Sequence, residues 1–149
     1  MSKRLLVPSV IGAVAVGALA AGGYAMASAT TGPGVENGSA RYVAPSPRGA
    51  GALTYTADVS DDSGVRSLKV LAWPTSSKLD PTEAEMRSVD AATCRSTSDT
   101  TSRCTYTLKV TRQDAAGLAE GAWDVSVLAT AKDGDTKFVP RAATFTVTR

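Results

Sequence analysis

From Gly51 the chain alternates between apolar and polar residues. Leu53, Tyr55, Ala57 and Val59 are apolar, and Thr54, Thr56, Asp58 and Ser60 between them are polar. A period of two puts one face of a strand on a core and the other toward water. Asp61-Asp62-Ser63-Gly64 is a tight turn, because Asp and Ser side chains bond their own backbone and Gly tolerates positive φ. A second strand runs from Val65 to Trp73, with Leu68, Val70 and Ala72 on one face and Lys69, Leu71 and Trp73 on the other. Pro74 stops it, having no N–H for a ladder. A short strand over residues 92–95, a polar loop from Ser96 to Ser102 and a strand carrying Cys104, Tyr106, Leu108 and Val110 inward come next. Trp123, Val125, Val127, Ala129 and Ala131 form the next alternating run. The chain turns at Asp133-Gly134-Asp135 and returns from Phe138 to Val147.

One stretch suggests helix. Asp80-Pro81-Thr82-Glu83 reads as a capping acid, a proline at the first helical position and a glutamate at the third, followed by only a turn or two through Arg87. With a short edge strand over Arg41-Tyr42-Val43, the pattern predicts seven strands in about 110 residues, which is the signature of a single immunoglobulin-like antiparallel β-sandwich. The expected inward set is Leu53, Tyr55, Val59, Leu68, Val70, Tyr106, Leu108, Val110, Trp123, Val125, Val127, Phe145 and Val147.

The first 29 residues follow a different rule. Lys3 and Arg4 precede an apolar run from Leu5 to about Tyr24, and Ala27-Ser28-Ala29 supplies small residues. That order is a secretory signal peptide over 1–29, with cleavage after Ala27 or Ala29. An uncleaved anchor is the competing reading, because roughly 20 apolar residues can span a bilayer. Pro8 and the many Gly and Ala residues weaken it. Residues 30–50, rich in Gly, Pro and Ser, read as a flexible leader, and 51–149 as the folded domain. Asn37-Gly38-Ser39 matches the glycosylation triplet, which a bacterial source would leave unused.

Two segments resemble known families. Leu118-Ala119-Glu120-Gly121-Ala122-Trp123, followed by Val125, Val127, Ala129 and Asp133-Gly134, is similar to the corner between strands E and F of fibronectin-type and bacterial immunoglobulin-like domains. A tyrosine usually stands there where this chain has Trp123. Asp61-Asp62-Ser63-Gly64-Val65 resembles the turn before strand C of secreted bacterial modules. Taken over residues 51–149, the chain looks like small secreted actinobacterial proteins of unknown function. That likeness implies a sandwich fold and transfers no catalytic residues.

Charge and cysteine usage narrow the chemistry. Lys3 and Arg4 account for the formal +2; beyond them 14 basic residues balance 14 acidic ones. No basic surplus marks a nucleic-acid or membrane face. Cys94 and Cys104, ten positions apart in an exported chain, predict a disulfide that pins a hairpin between strands D and E. They cannot be the antibody-type pair, which joins strands B and F. The chain has no His, which removes Ser–His, Cys–His and the usual zinc arrangements. Phosphate loops and nucleophile elbows are not spelled either. Paired carboxylates remain: Asp61 with Asp62, Glu83 with Glu85, and Asp133 with Asp135. They suit glycoside cleavage only if a cleft holds them.

Immunoglobulin order would bring Asp61, Asp62, Asp99, Asp133 and Asp135 to one end of the sandwich. Calcium takes such oxygen-rich sets, but no ordered D-x-D-x-D-G spacing is present, and Lys132 and Lys137 flank the last turn. No cofactor and no metal are therefore expected, with Asp61, Asp62, Asp133 and Asp135 as the calcium candidates. The expected function is a secreted, non-enzymatic module, extracellular or on the cell envelope, binding a protein or a cell-wall polymer through the loop end. The alternative is an inhibitor of an extracellular hydrolase acting through the pinned loop 95–103.

Overall fold

The computed structural model describes residues 32–149. The signal peptide expected over 1–29 and its cleavage points lie outside the described residues. Seven strands form the domain: β1 Gly34–Val43, β2 Gly51–Ser60, β3 Val65–Pro74, β4 Thr93–Ser96, β5 Thr101–Val110, β6 Gly121–Ala131 and β7 Thr136–Val147. Two short helices, α1 Glu83–Met86 and α2 Arg112–Gly117, sit in the connections. The strands make two antiparallel sheets, β1-β2-β5-β4 and β3-β6-β7. Four strands against three make an all-β sandwich.

The leader expected over 30–50 is corrected by the structure. Residues 34–43 are β1, an edge strand paired to β2 from Gly34↔Ser60 to Val43↔Ala52, and the compact unit starts at Gly32. Composition misread this stretch because the strand is held by main-chain bonds to β2, which any sequence can make. Its own apolar share is small but well placed: Val35, Ala40 and Tyr42 pack on the core. A bulge between Glu36 and Ser39 breaks the register. There Asn37 adopts φ 54°, and its side-chain amide donates to Asp58 at 2.9 Å.

Inner faces of both sheets meet in one core containing Leu53, Tyr55, Val59, Leu68, Val70, Val125, Val127, Phe145 and Val147. A second apolar layer lies on the outer face of the three-stranded sheet. Trp73, Met86 and Leu128 are buried there, so β6 is covered on both sides. The polar atoms in this layer are satisfied in series: Trp73 Nε1 donates to Ser126 Oγ at 2.9 Å, and that hydroxyl donates to the Pro140 carbonyl at 2.7 Å. Burying Met86 contributes about 1.5–3 kcal/mol, which fastens α1 over the sheet.

The cap of α1 also differs from expectation. Thr82, not Asp80, is the N-cap, and it exchanges bonds with Glu85 in a capping box. The same reciprocal pair, Thr111 with Asp114, starts α2, a helix the apolar pattern does not predict. Six residues with no buried side chain carry no helical stripe, so the capping pair is its one sequence signal.

The path between β3 and β5 decides where the sandwich opens. Before β4 the chain hydrogen-bonds to β3, with Val70 N–H donating to Asp90 at 3.0 Å and Ala92 N–H donating to Leu68 at 2.8 Å. Only from Thr93 does it pair with β5, and β4 ends at Ser96. The Tyr106–Val110 half of β5 therefore has β2 on one side and no strand on the other.

Candidate functional site

The loop end forms largely as the sequence implies. Asp61 N–H donates to Thr100 O at 2.8 Å, Lys132 N–H to Gly64 O at 2.9 Å, and Asp133 N–H to Ser63 Oγ at 3.2 Å. These bonds tie the β2–β3, β4–β5 and β6–β7 turns together, so Asp61, Asp62, Asp99, Asp133 and Asp135 share one end. Their carboxylates do not converge on a common point. Asp61 Oδ1 accepts from Ser63 N–H at 2.8 Å and Ser63 Oγ at 2.7 Å. Asp133 Oδ1 accepts from Asp135 N–H at 3.0 Å. Among the described residues no group of three or more His, Cys, Asp or Glu is placed to hold a metal ion.

Cys94 and Cys104 face each other in register on β4 and β5, with an S–S distance of 2.05 Å. Most of segment 95–103 is strand, and the turn it projects is short, Thr97–Thr100. That turn bonds to itself: Thr97 and Ser98 N–H both donate to Thr101 O, and Ser98 Oγ accepts from Thr100 and Thr101 N–H. Three of the four N–H groups of Thr97–Thr100 are thereby engaged within the turn.

A cavity of about 510 Å³ opens between the sheets at the other end, near α2. Three residues of the expected inward set fall short of full burial, and all three line it. Tyr106 and Trp123 are half-buried, and Leu108 is 46% exposed. Their alternation is inward as read, but the crossing of residues 90–92 to β3 leaves that part of β5 uncovered. The floor is a registered row across one sheet, Leu108 on β5, Leu53 on β2 and Tyr42 on β1. Opposite lie Val70 and Ala72 from β3, Trp123 from β6, and Phe145 and Val147 from β7.

Three aromatic rings of the lining adjoin one another. Tyr42 stacks on Phe145 with centroids 6.4 Å apart, and Phe145 meets Trp123 at 5.9 Å. Trp123 is fixed by its indole N–H, which donates to Ala119 O at 2.8 Å. A corner tyrosine makes the same backward reach to the backbone in immunoglobulin sandwiches. The Tyr42 hydroxyl is shielded from water and has no hydrogen-bond partner.

Charges sit at the rim, where Asp90, Lys109 and Asp114 line the opening. The Asp114 carboxylate is committed to Thr111: bonds from its main-chain N–H and its hydroxyl hold the acid below the usual aspartate value. Burial, with the Asp90 charge second, raises the Tyr106 phenol. A groove beside β5, lined by Thr93, Thr105 and Thr107, shares Asp90, Tyr106 and Leu108 with the cavity.

None of the paired carboxylates reaches this cavity. Glu83 binds Arg87 at 3.3 Å and accepts from Thr136 at 2.8 Å, Glu85 caps α1, and the aspartates are at the far end. The cavity went unpredicted because its lining comes from six strands, and no local spacing encodes the path of residues 90–92.

Residues 35–129 match the family of unknown function DUF5707; the chain belongs to that family. No curated protein and no solved structure matches it.

Proposed function

We propose that this member of a family of unknown function is a secreted immunoglobulin-like binding module without catalytic activity, and that it holds its extracellular partner at the inter-sheet cavity. The observation that carries the reading is the uncovered inner face of β5. Leu108, at 46% exposure, and the half-buried Tyr106 and Trp123 stand at positions where a sandwich ordinarily buries apolar side chains. Exposed apolar surface continuous with a concave, aromatic-lined space is the usual mark of a ligand site. The loop end has a weaker claim, since its Asp61 and Asp133 carboxylates are engaged by neighbouring N–H and O–H groups.

Secretion is supported by the charge, apolar run and small-residue exit of residues 1–29, and by the Cys94–Cys104 bridge, which persists in oxidising compartments. Lack of catalysis is supported by the cavity lining, whose acids are Asp90 and the capping Asp114 and which includes no Ser, Thr, Cys or His side chain. A photo-crosslinking residue at position 108 on producing cells should give an adduct, while one at position 62 gives none. Adducts from position 62 alone would return the contact surface to the loop end. Turnover of any glycan or ester in a substrate panel would refute the non-catalytic reading.

A further inference from the structure

We infer that the open edge of β5 takes a short extended segment of another protein as an added strand, with one apolar side chain of that segment entering the cavity. This deepens the proposed function and rests on the cavity being the contact surface. Main-chain direction comes first. Asp61 N–H donates to Thr100 O at 2.8 Å, and Thr97 N–H donates to Thr101 O at 2.9 Å. Thr100 therefore turns its main chain to β2, and Thr101 turns its own to β4. Hydrogen-bonding direction alternates along an antiparallel strand, and β5 keeps one unbroken register with each neighbour. Arg103, Thr105, Thr107 and Lys109 thus present their main-chain groups on the β4 side. The Cα separation of Cys94 and Cys104, 4.0 Å, agrees, being the closer antiparallel spacing of pairs that exchange no main-chain bonds.

β4 reaches back only to Thr93, opposite Thr105. Beyond it the N–H and C=O groups of Thr107 and Lys109 have no protein partner among the described residues. Thr107, Leu108 and Lys109 are all exposed. A groove of about 800 Å³, lined by Thr107 and Leu108, gives a neighbouring strand room.

An antiparallel segment laid there exchanges both main-chain bonds with Thr107 and both with Lys109. An extended polypeptide carries donors and acceptors at the required spacing, about 7 Å along the strand, and adding a strand to a sheet edge is a recurring mode of peptide recognition. Its residue opposite Leu108 shares the inward face. An apolar side chain at that position covers the exposed leucine and enters the cavity of about 510 Å³ toward Val70, Ala72 and Trp123. A second copy of β5, laid antiparallel, does not fit. Pairing Thr107 with the copy's Lys109 puts the copy's Thr111 opposite Thr105, where Thr93 already pairs, and pairing the two Lys109 residues opposes like charges. The same obstruction keeps the partner segment short, a loop or a chain end.

Titration of the 15N-labelled full chain with the blocked peptide Ac-Gly-Thr-Leu-Thr-Gly-NH2, followed by NMR, tests this. The amides of Thr107 and Lys109 should shift and exchange more slowly, with a Kd of about 1 mM. N-methylation of both threonines of the peptide should weaken binding at least about tenfold, the worth of two hydrogen bonds, whereas N-methylation of its leucine, whose N–H faces away from β5, should not. Replacing that leucine by glycine should weaken binding similarly to the threonine change. Lys109→Pro removes a donor that meets no strand, a position where proline is tolerated, and should abolish binding with the melting midpoint kept. The inference fails if neither amide responds at about 10 mM peptide, or if the peptide methylated on both threonines binds as well as its parent. Adducts from position 108 on producing cells, with no peptide effect at Thr107 and Lys109, would sink this inference and leave the cavity as the contact surface.

Discussion

Replacing Tyr55 by Phe should make the domain more stable at neutral pH and markedly more resistant to alkali. Tyr55 is fully buried at the centre of β2, and its hydroxyl has no hydrogen-bond partner. Phenylalanine keeps the ring and its packing and removes a polar group that lost its water on folding. The gain at pH 7 should be about 1 kcal/mol, at the lower end of the cost of an unsatisfied buried group. Burial also pushes the phenol from 10.0 up to about 12. The folded-state value lies above the unfolded one, so this stability is fully present below pH 10 and is lost as pH rises through 12. Linkage puts the loss at about 1.4 kcal/mol at pH 11 and about 2.7 kcal/mol well above pH 12. Urea unfolding of parent and variant at pH 7 and pH 11 measures both effects, and comparing the two chains cancels the titration of other groups. The reasoning is refuted if Tyr55→Phe is less stable than the parent at pH 7, or if both lose the same stability between pH 7 and pH 11.

Gly38→Ala should destabilise by about 1–3 kcal/mol, because its Cβ would lie 2.8 Å from the Tyr55 hydroxyl and 3.1 Å from the Ala142 carbonyl oxygen; adding Tyr55→Phe should recover much of that loss in the same urea assay. The double variant Cys94→Ala/Cys104→Ala should lose roughly 2–3 kcal/mol for a ten-residue closure, and hydrogen exchange should rise at Thr93–Ser96 before it rises in β2. Thermal unfolding in millimolar calcium and in chelator should give one midpoint, because Asp61 and Asp133 are occupied by local N–H and O–H donors. A ligand held only by the folded state would raise it, and a rise abolished by Asp133→Asn would establish a calcium site.

What could be read from the chain follows the range of each interaction. β2, β3, β5, β6 and β7 fall on the alternating runs, since side chains alternate across a strand wherever it ends up. The hairpin around the Cys94–Cys104 pair was equally legible, its closure being ten residues long. β1 was nearly missed, as its stability is borrowed from β2. The layer of Trp73, Met86 and Leu128 was missed as well: Leu128 interrupts the alternation of β6, and only the arrival of α1 makes that outer position a buried one.

The cavity shows the division most sharply. Alternation by itself determined that Tyr106, Leu108 and Val110 point inward, because parity along a strand is a property of the local backbone. Whether an inward residue is covered depends on which strand lies opposite and beside it. Residues 90–92 could have continued β4 along β5; instead they bond to β3. That choice is between two partners of similar local chemistry, and the whole packed sandwich decides it. Val110 is buried, while Leu108, two residues earlier on the same face, meets solvent at the mouth of the cavity.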